Sequence, residues 1–139
     1  MRRTVLMIII IAAVSLSPVV VTWAQPMSTT LPELLTFYAA DAAQPLDVER
    51  GKSFWHHKTP GDDGKDRSCT TCHGDDLSKS GKHIKSGKVI DPMAPSANKE
   101  RFTDQKKVEK WFKRNCKWTI GRECTAQEKG DVLKYLSLQ

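Results

Sequence analysis

The chain has 139 residues, 27% charged and 39% hydrophobic, with a net charge of +6, which is room for one modest domain. The basic balance lacks the charge runs with interleaved aromatics of a nucleic-acid binder, so no nucleic-acid partner is expected. A domain of this size buries a limited core and benefits from a covalent or cofactor staple.

The N-terminal stretch "MRRTVLMIIIIAAVSLSPVVVTWA" has Arg2 and Arg3, an apolar run from Thr4 to Val21, and small-residue cleavage features ending at Ala24. That is the layout of a secretory signal peptide. An uncleaved membrane anchor is the rival reading, but the run contains Pro18 and falls slightly short of the roughly 20 residues needed to span. Cleavage removes two arginines and no acid, taking the charge from +6 to +4. Export to the periplasm puts the chain in an oxidising compartment, where disulfides form.

The first expected helix lies in "TTLPELLTFYAADAA". Thr30 and Glu33 hold capping-box positions, Pro32 sits in the first turn, and Leu31, Leu34, Leu35 and Tyr38 make an apolar stripe. A second helix starts near Asp47 and runs through "DVERGKSFWHH". Gly51, four residues before Trp55, fits a close helix crossing. "KTPGDDGKDRS" reads as a solvated, turn-rich loop.

Four cysteines follow: Cys69, Cys72, Cys116 and Cys124. The first two, with His73, form C-x-x-C-H, the attachment sequence of a c-type haem. Two thiols at this spacing reach the two vinyl groups on one porphyrin edge, and the adjoining imidazole reaches the iron. A redox-active C-x-x-C and half of a zinc site are the rival readings. No βαβ pattern surrounds the motif, and Cys116 and Cys124 are poorly spaced to complete a zinc centre. One haem c on Cys69 and Cys72 leaves a single pairing, a Cys116–Cys124 disulfide closing the nine-residue loop "CKWTIGREC".

Beyond the motif, "GDDLSKSGKHIKSGKVIDPMAPSANKE" is too irregular for a long helix and is expected to wrap the haem edge. Its Lys79, Lys82, Lys85 and Lys88 read either as a solvated loop or as a docking rim for an acidic redox partner. "RFTDQKKVEKWFKRNCKW" reads as a helix with Thr103 as N-cap and with Val108, Trp111, Phe112, Asn115 and Cys116 on one face. A buried amide without a partner costs about 1–3 kcal/mol, so Asn115 either ends that helix or meets something polar inside. The last helix starts at Thr125 and Glu128, a second capping box, and its apolar side is Val132, Leu133, Tyr135 and Leu136. No strand alternation or internal repeat appears, so the fold class is all-α, in the element order of a class I cytochrome c.

His73 takes one axial position on the iron. The residues alone leave the other open among Met27, Met93, His56, His57, His83, Asn115 and no protein ligand. Met93, in "DPMAPS", would give the His/Met pair of a conventional electron-transfer cytochrome.

From about residue 30 to the end, the sequence resembles the sphaeroides haem protein (SHP) family, relatives of cytochrome c double-prime. "ERGKSF", "SCTTCHG", "SGKVIDPMAPSA", "RFTD", "KVEKWFKRNC", "IGREC" and "EKGDVL" carry the resemblance, in that order. It implies a class I cytochrome c fold with an added N-terminal helix supplied by "LPELLTFYAADAA". The chain then divides into a signal peptide (1–24), an N-terminal extension helix (25–46) and a cytochrome c domain (47–139). The resemblance also implies a sixth ligand on an asparagine just before the first disulfide cysteine, which maps onto Asn115 and Cys116. Cytochrome c double-prime has a histidine there. Met93 stands where the family has a leucine and remains the alternative ligand.

An amide oxygen is a hard, neutral donor that ferric iron holds better than ferrous iron. Release of Asn115 on reduction is therefore expected, opening a site for O2 or NO, and the resemblance implies the same behaviour. It further implies electron donors among dihaem c-type or membrane b-type cytochromes. A monomer is expected. An enzyme turning over NO or peroxide is the remaining alternative, although no acid–base pair stands out near the distal helix.

Overall fold

Capping side chains set the helix boundaries. The computed structural model describes residues 28–61 and 63–139, so the expected leader and Met27 lie outside the described residues. Helix α1 (Leu31–Ala40) begins where the Glu33 carboxylate accepts from the Thr30 N–H at 2.7 Å and from its hydroxyl at 2.9 Å. Helix α2 (Val48–His56) begins at Asp47, whose carboxylate accepts from the Arg50 N–H. The next two elements, β1 (Thr59–Pro60) and β2 (Asp66–Arg67), form an antiparallel ladder with Thr59 opposite Arg67. A single helical turn, α3 (Thr70–His73), follows at once. Then β3 (Gly81–Lys82) and β4 (Val89–Ile90) form a second ladder with Gly81 opposite Ile90.

Helix α4 (Gln105–Ile120) starts one residue later than the sequence suggests. Asp104 accepts from the Lys107 N–H at 3.0 Å, while the Thr103 hydroxyl donates to the Glu100 carbonyl. A carboxylate is the better cap because it also meets the positive end of the helix dipole. Helix α5 (Ala126–Leu136) carries the expected box: the Thr125 hydroxyl accepts from the Glu128 N–H, and the Glu128 carboxylate accepts from the Thr125 N–H.

The core sits where α5 crosses α2 and packs on α1. Gly51 permits the crossing, since a Cβ there would lie 2.0 Å from the Asp131 carbonyl oxygen. Leu34, Tyr38, Trp55, Val132, Leu133 and Leu136 fill the space. Asp131 is buried in the same seam and pairs with Arg50 at 2.9 Å. By contrast, the backbone of α4 approaches the other helices at few points, and its main backbone neighbour is β1. Among the described residues, no helix is long and apolar enough to cross a membrane.

Two expectations need correction. "KTPGDDGKDRS" is not wholly solvated: it holds the β1–β2 ladder, and Arg67 is only 7% exposed. A two-residue ladder is too short to leave an alternation in the sequence. On α4 the buried positions are Cys116 and Thr119, with Val108 and Phe112 packed against the core; Trp111 and Asn115 are exposed. The core-facing seam is thus narrower than the stripe read from the sequence. Asn115 does not end the helix, which continues to Ile120.

Candidate haem-binding site

Ser68 starts the haem-motif turn. Its N–H donates to the Thr71 hydroxyl at 2.9 Å, and its own hydroxyl lies 2.7 Å from that of Thr70. The turn stops at Gly74, whose φ of 72° is the left-handed conformation glycine adopts cheaply. Cys69, Cys72 and His73 are therefore brought together on one turn, with both cysteines as free thiols. Gly81 lets β3 lie directly on this turn, since a Cβ there would meet the Cys72 carbonyl.

The His73 ring is largely buried and lies 5.3 Å from the Trp55 ring, centroid to centroid. Its Nδ1 is buried without a hydrogen-bond partner among the described residues. Burial, helped by the nearby Arg101 charge, lowers its pKa to about 4, so the imidazole is neutral with a free lone pair at physiological pH. Burial also pushes the Cys69 thiol up to about 12. It is S–H rather than thiolate, which is the wrong state for a reactive redox C-x-x-C. Cys116 and Cys124 are joined as a disulfide and cannot complete a zinc centre with Cys69 and Cys72. Two free thiols and a neutral imidazole on one turn fit a c-type haem: thiols for its vinyl groups, a nitrogen for its iron.

The remaining sequence candidates separate in space. Met93 is fastened to the segment that follows the haem turn: its N–H and that of Ala94 both donate to the Leu77 carbonyl, at 3.0 and 2.9 Å, and its side chain packs against the core. Arg101 locks that loop by donating to the Pro92 carbonyl at 2.7 Å and to the Asp91 carbonyl. His56 is exposed at the end of α2, with Nδ1 on the Lys52 carbonyl. His57 is exposed, and so is His83, which is spent on Ser86 inside the β3–β4 turn.

Asn115 stands on α4, exposed, and its carboxamide has no hydrogen-bond partner among the described residues. Two ties hold its part of the helix, and the second links it to the segment just before the haem turn. The neighbouring Cys116 is bonded to Cys124. One turn further on, the Trp118 carbonyl accepts from Arg67, whose guanidinium also lies 4.7 Å over the Trp118 ring. Arg67 is two residues before Cys69. Sequence reading missed both Arg67 and Arg101, since an arginine in a polar loop looks solvated until its burial is known.

A family model described as a domain of unknown function, DUF1924, matches residues 41–136. A cytochrome c-type protein, SHP, of Cereibacter sphaeroides is 45% identical over 111 residues, covering 80% of this chain and 85% of that protein. Cytochrome c'' of Methylophilus methylotrophus is 37% identical over 101 residues, 70% of each chain. The solved structure of oxidised SHP, described as an oxygen-binding cytochrome c, superposes with a TM-score of 0.75, covering 81% of this chain and 99% of that one. Oxidised cytochrome c'' superposes at 0.71 with 34% identity, covering 78% and 94%. The fold is accordingly all-α and class I cytochrome c-like, with α1 as the added N-terminal helix.

Proposed function

The chain belongs to the cytochrome family that includes SHP and cytochrome c'', and we propose on that premise that it is an exported monohaem c-type cytochrome with His73 and Asn115 as axial ligands. One observation carries the reading: a part-buried, neutral imidazole whose buried Nδ1 has no hydrogen-bond partner among the described residues, adjoining two free thiols. Cys69 and Cys72 each add S–H across one vinyl group, sulfur to one carbon and hydrogen to its neighbour, so no further reagent is consumed. When bound, the haem supplies a one-electron iron couple and an axial position open to exchange.

His73 holds the iron from the α3 side. Asn115 is favoured for the other side because its carboxamide is free of other bonds and α4 is tied to the chain just before Cys69. Met93 is disfavoured, its loop being pinned by Leu77 and Arg101. As a hard oxygen donor, the Asn115 carboxamide would hold ferric iron better than ferrous iron and so would be released on reduction. The freed carboxamide can then donate a hydrogen bond to O2 or NO at that position. Trp111 and Phe112 flank it on the same helix.

Residues 1–24 act as a cleaved leader for the periplasm, residues 25–46 as the extension carrying α1, and residues 47–139 as the cytochrome domain of a monomer. Lys79, Lys82, Lys85 and Lys88 are all exposed and form a rim for an acidic face of a donor, a dihaem c-type or membrane b-type cytochrome. Association rates indifferent to ionic strength would argue against that steering.

The deciding measurement is the optical and resonance Raman spectrum of the holoprotein in both oxidation states, repeated on Asn115→Ala. A six-coordinate oxidised form that becomes five-coordinate on reduction is expected, with the six-coordinate oxidised signature lost in the variant. A sulfur-to-iron charge-transfer band in the oxidised protein would instead assign Met93. A six-coordinate low-spin reduced form would refute ligand release.

A further inference from the structure

Helix α4 has little backbone packing against the other helices, yet it makes one continuous polar bridge across both α1 and α5. The Tyr38 hydroxyl, on α1, donates to Glu109 Oε1 on α4. Glu109 Oε2 accepts from Lys129 Nζ, on α5, at 2.9 Å. The Lys129 ammonium in turn lies 5.7 Å over the Tyr38 ring. One turn along α4, the Phe112 ring meets the Tyr38 ring edge-on at 6.0 Å. Tyr38 is 2% exposed, and burial together with the Glu109 carboxylate raises its pKa, so the phenol stays protonated and remains a donor. Hydrogen bonds to a carboxylate are roughly twice as strong as neutral ones.

Asn115 lies between two clamps on α4. The bridge at Glu109 is six residues before it, roughly 9 Å along the axis at 1.5 Å per residue. The Cys116–Cys124 disulfide is one residue after it. The second clamp is covalent and the Arg67 contact at Trp118 lies beyond it, so on the side before Asn115 the freedom of α4 is set at the first. Nothing in the haem motif needs Tyr38 or Glu109, and the added helix that supplies Tyr38 lies outside the haem-bearing part of the chain.

We infer that Tyr38 and Glu109 are positioning residues for Asn115: the Tyr38–Glu109–Lys129 bridge holds α4 at the setting from which the carboxamide engages the oxidised iron. This rests on the His73/Asn115 ligation proposed above. Neither residue touches the iron; each acts through the helix. Loosening the bridge lowers the effective concentration of the carboxamide at the iron and favours any external ligand that competes with it.

The test uses oxidised holoprotein titrated with imidazole and followed in the Soret band, for wild type, Tyr38→Phe, Glu109→Gln and Asn115→Ala. Tyr38→Phe keeps the ring packed on Phe112 and removes only the donor. Glu109→Gln keeps the acceptor and removes the charge. Asn115→Ala sets the limit of no internal competitor and binds imidazole most tightly. Both bridge variants are expected to fall between wild type and that limit, tighter than wild type by roughly two- to tenfold, the equilibrium equivalent of one net hydrogen bond.

A purely structural role would lower the melting temperature and leave imidazole affinity at the wild-type value. That result in both variants, with Asn115→Ala still tighter, overturns the positioning role and leaves the ligation standing. Asn115→Ala binding imidazole no better than wild type overturns the ligation, and the positioning role with it.

Discussion

Replacing Gly51 by alanine tests whether the α2–α5 crossing depends on bare backbone contact. The new Cβ would lie 2.0 Å from the Asp131 carbonyl oxygen and 2.4 Å from its carbon, where ordinary contact begins at 3.4 Å. The two helices must therefore part by about 1.4 Å at that point, and no flexible side-chain tip is there to move instead. Overpacking of this kind costs about 1–3 kcal/mol, and a backbone clash belongs at the upper end. Alanine recovers about 1 kcal/mol through its better helix propensity. The net loss is about 2 kcal/mol. At an unfolding entropy of roughly 2.1 cal/mol/K per residue, a domain of this size loses roughly 4 °C of Tm per kcal/mol, hence roughly 8 °C. Far-ultraviolet circular dichroism melts of holoprotein read this directly. A Tm within about 2 °C of wild type would show that the crossing relaxes cheaply, and the reasoning from contact distance would fail.

Asp131→Asn keeps the shape but faces the new NH2 with donors, because Asp47 N–H, Gln127 Nε2, Arg50 Nε and Arg50 Nη2 all donate to the carboxylate. A loss of about 2 kcal/mol is expected, as a lower urea midpoint at unchanged m, and an unmoved midpoint would refute it. Replacing Cys116 and Cys124 together by alanine opens a nine-residue loop, an expected loss of about 2.6 kcal/mol from loop entropy. Ligation by Asn115 should weaken at the same time, and a double variant unchanged in both would count against the clamp. Acidification tests the α5 box. Two hydrogen bonds from Arg122, with the Thr125 N–H, hold the Glu128 carboxyl below its usual 4.5. Its contribution is therefore complete above pH 4.5 and is lost as pH falls through the lower folded value, so Tm should drop in that window. A Tm that rises on acidification there would contradict the sign.

The helices were legible because their signals are local. Thr30 with Glu33, Asp47, and Thr125 with Glu128 mark three starts within a four-residue window, and the structure uses all three. Gly51 was legible as a crossing because a glycine four residues before a tryptophan in a helix calls for a packing reason. The C-x-x-C-H turn was legible as a candidate haem site, since that spacing has one common use, and the structure brings its three residues onto one turn. The two ladders were not, because a pair of residues per strand carries no period. Nor was the burial of Arg67 and Arg101, since each donates to backbone carbonyls, which leave no side-chain pattern in a sequence. The α4 stripe was over-read for a related reason. Helical periodicity identifies the apolar side of a helix, but how much of that side is covered depends on what packs there, and α4 has sparse helix neighbours.

On the proposed ligation, that sparseness bears on how one bond to the iron could be given up without disturbing the other. Leu34 and Leu133 are fully buried and Val132 is 1% exposed, all on α1 and α5, whereas α4 contributes only Cys116 and Thr119 to the buried set. Local opening is cheapest where few apolar contacts are lost, so a displacement of α4 gives up fewer buried side chains than one of α5. His73 is on the more packed side: Trp55 of α2 packs on its ring, and α2 is locked to α5 through Gly51 and the Arg50–Asp131 pair. Asn115 is on the less packed side, restrained by one disulfide, one polar bridge and the Arg67 contact at Trp118. On the proposed ligation, the His73 bond is therefore built to stay through the redox cycle and the Asn115 bond to exchange. The same division explains why Met93, pinned by Leu77 and Arg101, would make a poor exchangeable ligand even if its sulfur reached the iron.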